Sequence, residues 1–337
     1  MEPYYYQTLS KAEQSSYQAM QAGLQAFAPS FPVPLLENRA LTDVFMKLRL
    51  DCPQLFYAGT FQYRYYPDSR NAELIPAYLF EKGKMKEHQK ALQSRVEKLV
   101  RPVARCSDEE KLLYIHDFIC KNVRYDKLKK QYSHEIIGVL GHGVGEGIAK
   151  AVKILCDALQ IWCIIALAEN NPERGVKYRH AWNVVRLDKK YYHLDCTFDL
   201  SLGNPEEIRY DYFLLSDKQI FRDHERLVWR VPACEDADRF YYKKKKLSFT
   251  KTEEVQKRAA QAVKKGKPLL FHWRGGYMTR EIVQEFLRIF KEEAAKKEKF
   301  AQVSLNWAQA IVKVRFIEQL PTQELTMEEA NEGEKEE

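Results

Sequence analysis

The sequence predicts an α+β protein with three folded domains, and three features of its 337 residues lead to this class. Apolar residues recur at helical spacing through much of residues 1–103, around one predicted β-hairpin. Within residues 104–242, two helix-like segments precede three β-like runs. Residues 247–321 alternate between helix-like and strand-like segments, which is typical of a small α/β domain. A chain of this length also exceeds what one hydrophobic core usually supports.

The N-terminal domain is predicted to be α-rich. Helices are expected over Lys11–Phe27 and Asn38–Leu50, where apolar residues repeat at helical spacing. The aromatic stretch that follows is split by the turn-forming letters PDSRN at residues 67–71, which predicts a β-hairpin. A polar helix is expected over Lys84–Arg101, directly after Gly83 and ending before a proline.

The central domain combines two helices with three strands. The segment Ser107–Glu110 has the form of a capping box, which predicts a helix that runs on to Val123. A second helix is expected over Glu146–Leu159. The β-like runs that follow are Ile161–Ala168, His180–Leu187 and Lys190–Thr197. Only two residues separate the last two runs, which is a hairpin-type spacing.

The C-terminal domain is predicted to begin after a lysine run at residues 243–246, which is expected to be a linker. Its predicted helices are Lys251–Lys265 and Thr279–Lys297. Its predicted strands are Pro268–Trp273, Lys299–Asn306 and Ala310–Ile317. The final segment, residues 322–337, contains seven Glu and one Lys and is expected to be a disordered acidic tail.

Composition excludes several classes of protein. Hydrophobic residues make up 45% and charged residues 30%, as in soluble globular proteins. No run of 18 apolar residues occurs, so no membrane span is predicted. The seven cysteines are widely spaced without a CxxC pair, which indicates neither a disulfide framework nor a zinc site, and no cofactor is predicted.

The first residues lack the pattern of a signal peptide, so a cytoplasmic location is expected if the chain is complete. A mature secreted form whose signal peptide had been removed would look the same.

Charge is unevenly distributed along the chain. Residues 243–299 contain 17 Lys and Arg against 7 Asp and Glu, while the net charge of the whole chain is +7. Such a stretch raises nucleic-acid binding as an alternative function. Because Glu residues are interspersed and no recognised motif occurs, solvated helix faces are the preferred interpretation.

Three segments stand in a fixed order along the central domain, and a fourth follows them. Tyr114–Asp126 reads YIHDFICKNVRYD, Ser133–Ile161 contains GHGVGEGIAKA, and Arg179–Asp199 reads RHAWNVVRLDKKYYHLDCTFD. Tyr210–Asp217 then reads YDYFLLSD. Together they resemble the bacterial type of the transglutaminase-like superfamily, whose members have the papain-type cysteine protease core. The resemblance implies that fold for the central domain.

The resemblance also implies a catalytic set of three residues. In the family, a nucleophilic Cys stands at the start of the central helix, and a His and an Asp follow on adjacent strands. His180 takes the base position and Asp195 the orienting position. The nucleophile position is occupied by Gly145. Because glycine has no side chain, the resemblance implies a catalytically inactive member in which His180 and Asp195 are vestigial.

General chemistry explains why this family needs such an arrangement. A thiol must have its pKa lowered to act as a nucleophile at neutral pH, and a helix N-terminus and an adjacent imidazolium both lower it. A third group holds the imidazole in the useful tautomer. The thiolate can then attack a carbonyl group of glutamine or peptide and form an acyl-enzyme.

Two neighbouring positions also depart from the family pattern. Ile148 stands where the family usually has Tyr, and Phe198 where it usually has Trp. Another cysteine is not expected to replace the missing nucleophile. Cys156 lies about 16 Å further along the same predicted helix. Cys196 is expected to point to the opposite face of the strand from Asp195.

The cleft is predicted to be lined by the three catalytic positions and Trp182, with His142 as a further ligand-binding candidate. A solvated loop position is the alternative for His142. The glycine-rich residues 141–147 lack the GK[ST] ending of a phosphate-binding loop, which disfavours nucleotide binding. For the pair of His180 and Asp195, a structural role is preferred over continued acid–base use, since buried polar groups need partners.

These features predict a non-enzymatic module that binds or scaffolds a polypeptide. A residual enzyme is the alternative, in which His180 and Asp195 act as an acid–base pair without a thiol. A closed apolar pocket around His180 would favour chemistry, whereas an open groove would favour binding. No membrane interaction is expected.

Overall fold

A computed structural model of the chain describes residues 2–125, 142–143 and 145–319. The chain divides into two compact units, Met1–Tyr241 and Tyr242–Glu337. The described residues form helices together with sheets whose strands are mostly antiparallel, which confirms the α+β class. The predicted acidic tail lies outside the described residues. No helix in the described ranges is long and apolar enough to cross a membrane.

The first part of unit 1 contains four helices and three strands. They are α1 (Tyr4–Gln7), α2 (Lys11–Gln25), β1 (Phe31–Pro34), α3 (Asn38–Asp51), β2 (Ala58–Tyr65), β3 (Asn71–Tyr78) and α4 (Lys82–Val100). The predicted hairpin is confirmed as β2 and β3, which pair in antiparallel fashion. Helix α4 begins at Lys82, so Gly83 lies inside its first turn and not before it.

Strand β1 was not predicted. It joins the hairpin as an edge strand, in the order β1-β3-β2. Its sequence FPVP contains two prolines, which argue against a strand when read alone. An edge strand tolerates proline because one side of its backbone needs no ladder partner.

The second part of unit 1 contains the helices and strands that carry the predicted site. They are α5 (Asp108–Asn122), β4 (Arg124–Tyr125), β5 (His142–Gly143), α6 (Gly145–Ala158), β6 (Cys163–Leu167), β7 (Ala181–Leu187), β8 (Lys190–Leu194), α7 (Cys196–Leu202), β9 (Phe213–Leu215) and α8 (Asp217–Ile220). Strands β6 to β9 form one antiparallel sheet in chain order. The predicted capping box at the start of α5 is present, with Ser107 and Glu110 bonded reciprocally.

Strand β8 is shorter than predicted. It ends at Leu194, and Asp195 is the N-cap of α7, with its carboxylate accepting the backbone N–H groups of Thr197 and Phe198. Cys196 is therefore the first residue of a helix, and the expectation that it lies on a strand is wrong. An Asp side chain can satisfy free N–H groups at a helix start, and here this bonding ends the strand.

The apolar core of unit 1 is continuous across the predicted boundary between residues 103 and 104. It includes Leu9, Val44 and Tyr57 from the first part of the unit and Ile115 and Val152 from the second. The boundary between an N-terminal and a central domain therefore stays a prediction.

Unit 2 is an α/β unit with one sheet. Its elements from the junction onward are α9 (Tyr241–Lys244), β10 (Ser248–Phe249), α10 (Thr252–Lys265), β11 (Leu269–Trp273), α11 (Arg280–Ala295), β12 (Phe300–Asn306) and β13 (Ile311–Ile317). The sheet order is β10-β11-β13-β12, and β10 runs parallel to β11. The two long helices and three longer strands agree with the predicted ones to within two residues. Strand β10 was missed because two residues carry no periodicity.

Candidate functional site

The hairpin of β7 and β8 brings the two predicted catalytic side chains together. His180 directly precedes β7 and Asp195 directly follows β8, and these two strands pair with Asn183 opposite Leu194. The turn residues Asp188 and Lys189 both have positive φ angles, as a two-residue hairpin turn requires. The beginning of one strand therefore lies beside the end of the next.

His180 and Asp195 form a short hydrogen bond. Nε2 of His180 lies 2.6 Å from Oδ2 of Asp195. The His180 side chain is 22% exposed, whereas that of Asp195 is 1% exposed. No protein group in the described part of the chain is hydrogen-bonded to Nδ1 of His180. One ring nitrogen is therefore held by the carboxylate, and the other remains available for a ligand or a proton.

Asp195 is held at both of its carboxylate oxygens. Oδ1 accepts the N–H groups of Thr197 and Phe198 at 2.8 and 3.1 Å. Burial alone raises the pKa of Asp195, but the charge interaction with His180 and the hydrogen bonds of His180 and His224 outweigh it. The pKa therefore falls well below its usual value, and the group is a carboxylate at neutral pH.

His224 is a third member of the site that the sequence analysis missed. Its Nε2 lies 2.9 Å from Oδ2 of Asp195, and its Nδ1 lies 2.8 Å from Oδ1 of Asp223. Burial alone lowers the pKa of His224, but hydrogen bonds to Asp195 and Asp223 raise it to about 9. Only the adjacent Asp-His letters mark this residue in the sequence, and no spacing connects them with Asp195.

Phe198 packs against both histidines of the site. Its ring centroid lies 4.9 Å from that of His180 and 4.4 Å from that of His224. Phe198 stands where the resembled family usually has Trp. An aromatic ring therefore packs on the two imidazoles at this position, and it is that of Phe and not of Trp.

Helix α6 presents its N-terminal end to this sheet. Gly145 is the first residue of the helix. The side chain of Asn183 on β7 donates a hydrogen bond to the carbonyl of Ala149, in the second turn of α6, at 2.9 Å. The assignment of Gly145 as the empty nucleophile position stays a prediction. The residue stands at a helix N-terminus, where a thiolate would be stabilised.

The seven cysteines all lie in the described part of the chain and are free. Six are buried, and Cys106 is the exposed one. Cys156 is fully buried, and burial together with Cys163 raises its pKa well above the usual value. Burial likewise raises the pKa of Cys196. Since no described contact joins a cysteine to His180, these thiols fit core packing better than catalysis.

Trp182 and His142 are the two predicted ligand-binding residues. Trp182 is 1% exposed, its ring stacks on that of His180 at a centroid distance of 5.8 Å, and its Nε1 donates a hydrogen bond to His193. It therefore supports His180 from beneath. His142 lies in strand β5, paired with Arg124 of β4, and not in a loop. Its side chain lies outside what the structure describes, so its role stays a prediction.

Two further His–carboxylate sets flank the site. His193 lies 2.7 Å from Asp217, whose other oxygen accepts the N–H of Cys234. His116 on α5 lies 2.9 Å from Asp199 on α7, with both side chains fully buried. These pairs join separate elements of the fold, which is what satisfied buried polar groups do.

An open groove runs alongside His224. Its volume is about 850 Å³, and its lining includes Phe221, Trp229, Arg230, Val231 and Pro232. The backbone that forms it is attached to the sheet, because Val228 donates a hydrogen bond to the carbonyl of Leu167 at 2.8 Å. A groove of this size lies within the range of ligand-binding clefts.

Part of the chain is similar to a known protein family. Residues 97–196 match the family model of the Transglutaminase-like superfamily. That range contains Gly145, His180 and Asp195 but not His224. No curated protein sequence matches the chain significantly.

Solved structures also overlap with the chain. One is the crystal structure of a TGase, with 11% identity, a TM-score of 0.26 and coverage of 50% of each chain. Another is a protein from Cytophaga hutchinsonii assigned as a cysteine protease, with 14% identity and a TM-score of 0.26. That match covers 41% of this chain and 61% of the other. This chain thus spans about half to three fifths of the length of these two proteins. Structural similarity at this TM-score supports no inference about activity.

Proposed function

Since residues 97–196 belong to the transglutaminase-like superfamily, we propose that this chain is a catalytically inactive member that binds a polypeptide without turning it over. The observation that carries the proposal is the pairing of His180 with Asp195 beside a helix that begins with Gly145. In this proposal His180 is the former base and Asp195 the former orienting carboxylate, and Gly145 at the nucleophile position offers no side chain. An acyl-enzyme needs such a nucleophile.

The cysteines support the loss of covalent chemistry. Six of the seven are buried, and burial raises the pKa of Cys156 and Cys196. A thiol with a raised pKa is a poor nucleophile at neutral pH. Among the described contacts, none joins one of these cysteines to His180, so none of the thiols is positioned as a substitute nucleophile.

The groove beside His224 supports polypeptide binding. It is open along its length and not an enclosed apolar pocket, which is the shape expected for an extended chain. Exposed Phe221 and partly exposed Trp229 offer apolar contacts there. Arg230 is exposed in the same lining, where it can bond peptide carbonyl groups.

The proposal is tested by measuring binding and turnover on the same chain. An unfolded, glutamine-containing polypeptide such as β-casein is titrated against the wild-type chain and followed by fluorescence anisotropy. Incorporation of a fluorescent amine and release of peptides are followed in parallel. We expect binding without either product. The double variant Phe221→Ser, Arg230→Ser is expected to weaken binding at least tenfold, while Tyr277→Ser, at an exposed position of unit 2, leaves it unchanged.

Turnover by the wild-type chain would overturn the assignment as an inactive member. Absence of binding, or equal binding by the groove variant, would overturn the polypeptide-binding role.

A second candidate function is that of a residual enzyme. It is favoured by the partial exposure of His180 and by its Nδ1, which has no partner among the described residues. The imidazole could exchange a proton with a bound substrate while Asp195 holds its other nitrogen. If this candidate is correct, His180→Gln abolishes hydrolysis of an activated ester by the wild-type chain. Equal hydrolysis by the variant would exclude it.

The free cysteines also support a reducing compartment, and we retain the cytoplasm as the proposed location. Disulfides form in oxidising compartments. All seven thiols of this chain are free, including the exposed Cys106. Quantifying free thiols on the native protein isolated under alkylating conditions tests this, and a disulfide would contradict it.

A further inference from the structure

We propose that His180, Asp195 and His224 form a binding site for one divalent transition-metal ion, with Zn²⁺ as the best-matched ion. One atom from each residue, namely the two Nε2 atoms and Oδ2, lies within 4.8 Å of the other two. Two imidazoles and one carboxylate are the donor set of many open metal sites. The metal site does not use position 145. It shares His224 with the lining of the groove, but its test does not depend on the binding of a polypeptide.

The donor atoms already converge on one point. Oδ2 of Asp195 lies 2.6 Å from Nε2 of His180 and 2.9 Å from Nε2 of His224. Around tetrahedral zinc, with bonds of about 2.0–2.2 Å, the ligand atoms stand roughly 3.3 Å apart. Binding therefore requires Oδ2 of Asp195 to move about half an ångström away from each of the two Nε2 atoms, which small side-chain rotations can supply.

The outer contacts are those that hold metal ligands in place. Nδ1 of His224 bonds to Asp223, and the hydroxyl of Tyr212 donates in turn to the other oxygen of Asp223. Oδ1 of Asp195 is occupied by two backbone N–H groups, so that Oδ2 is directed at the two histidines. A carboxylate on the outer nitrogen of a ligating His fixes its ring and increases its basicity.

The site has one open side. Asp195 and His224 are buried, whereas the side chain of His180 is 22% exposed. An ion can therefore enter past His180, and water or a ligand can occupy the fourth position. The two carboxylates Asp195 and Asp223 offset the charge of a divalent cation.

The hydrogen bonds of His224 are consistent with the loss of one proton from this residue when a metal ion binds. Both ring nitrogens of His224 face carboxylate oxygens, so both carry a proton in the metal-free chain. A metal ion at Nε2 displaces one proton, while the proton at Nδ1 stays on His224 and is donated to Asp223. For Nε2 of His180 to bind the ion, that nitrogen must be free of a proton, and Nδ1, which has no described protein partner, can carry the ring proton.

The neighbouring set of His193, Asp217 and Cys234 is a poorer site although its ligand atoms are as close together. Nδ1 of His193 accepts the Trp182 N–H, and its side chain is fully buried. The Cys234 thiol donates to the carbonyl of Pro232, and burial raises its pKa well above the usual value. A thiolate ligand is therefore lacking there, although Asp217 is partly exposed.

The test is a metal titration of the full chain after removal of bound ions with a chelator. Zn²⁺ is added in a calorimeter, and Co²⁺ is added while its visible absorption is recorded. We expect one equivalent to bind, with a tetrahedral Co²⁺ spectrum. His180→Asn and His224→Asn should each weaken binding at least tenfold, and Asp223→Asn should weaken it by about 10- to 100-fold.

Controls separate this site from other ligands in the chain. His193→Gln removes the neighbouring set, and His88→Asn removes a histidine of α4, so both variants should bind as the wild type does. Circular dichroism confirms folding, and His180→Asn remains informative if His224→Asn does not fold because His180 is the more exposed ligand. The proposal is overturned if the wild type binds no stoichiometric ion, if His180→Asn binds as tightly as the wild type, or if His193→Gln loses binding.

Discussion

Nε2 of His224 lies 2.9 Å from the same oxygen of Asp195 that faces His180. The orienting carboxylate of the predicted catalytic pair is therefore shared between two imidazoles. Because the second imidazole also bonds to Asp223, a chain of four groups runs from the partly exposed His180 through buried Asp195 and His224 to the partly exposed Asp223. The stability and reactivity of the site depend on this chain.

Removing the second imidazole should destabilise unit 1. In His224→Leu, Asp195 loses one of its partners and Asp223 loses its cation. Breaking a buried ionic contact by removing one partner costs about 3–5 kcal/mol, and we expect the lower end because Asp195 keeps three other bonds. Urea unfolding measures the change. His88→Leu on α4 serves as the control and should alter the free energy of unfolding by less than about 1 kcal/mol. Equal effects of the two substitutions would show that the chain of groups contributes no stability.

Restoring a thiol should restore reactivity if position 145 is the nucleophile position. In a Cys106→Ser background, which removes the exposed cysteine, Gly145→Cys should be alkylated by iodoacetamide at pH 6.5. Adding His180→Ala should slow alkylation by about a hundredfold, because general-base assistance contributes factors of this size.

Mass spectrometry of the labelled peptide gives the rate. Equal rates with and without His180 would show that residue 145 lies outside the reach of the imidazole. The assignment of the nucleophile position would then be wrong.

The contributions of Lys150 and Lys153 on α6 to the free energy of unfolding should change in opposite directions as the pH rises. Burial and the charge of Arg49 lower the pKa of Lys150 to about 8, although Glu146 lies 2.9 Å away. Between about pH 8 and 10.5, the unfolded chain keeps a proton on Lys150 that the folded chain has lost, so stability rises with pH. The total gain from this group is about 3 kcal/mol.

Lys153 is the matched contrast, since burial lowers its pKa but Asp157 and Cys163 raise it above the usual value. Its contribution is complete below pH 10.5 and is lost as the pH rises further. Urea unfolding at pH 7.5 and 9.5 should show that the free energy of unfolding of the wild type rises relative to that of Lys150→Met, whereas it stays constant relative to that of Lys153→Met. A gain of the same size in wild type and Lys150→Met would refute the assignment.

Replacing each of two helical glycines with alanine should change the stability of the chain in opposite directions. A Cβ atom at Gly23 in α2 would stand 2.3 Å from a ring carbon of Phe31, which lies in the core. Gly23→Ala should therefore destabilise the chain by about 1–3 kcal/mol. At Gly83 in α4, nothing lies within 4 Å of the new atom, and the substitution should stabilise by about 0.4–1 kcal/mol. Thermal unfolding of both variants measures the difference, and shifts of the same sign would contradict the packing at Phe31.

The sequence predicted correctly those elements that form through contacts between residues close together in the chain. The capping box of α5, the hairpin of β2 and β3, and the two long helices of unit 2 all depend on contacts between residues close together in the chain. It failed for β1 and β10, because an edge strand with prolines and a strand of two residues show no alternation of their own.

The same difference between local and long-range contacts decides which parts of the site the sequence could predict. The sequence by itself determined that His180 and Asp195 meet, because a two-residue turn between adjacent strands makes their approach a local event. It could not reveal that Trp182 is buried, since β7 is covered on both faces and its residues show no alternation between buried and exposed.

Only the tertiary structure decided that His224 joins them. This residue follows Asp195 by 29 positions, and the backbone bond from Val228 to Leu167 on β6 attaches its segment to the sheet. Contacts of that kind depend on how distant segments pack to bury apolar surface and pair their polar groups. No local sequence pattern predicts such long-range contacts. The sharing of the Asp195 carboxylate between His180 and His224 is therefore a consequence of the tertiary structure.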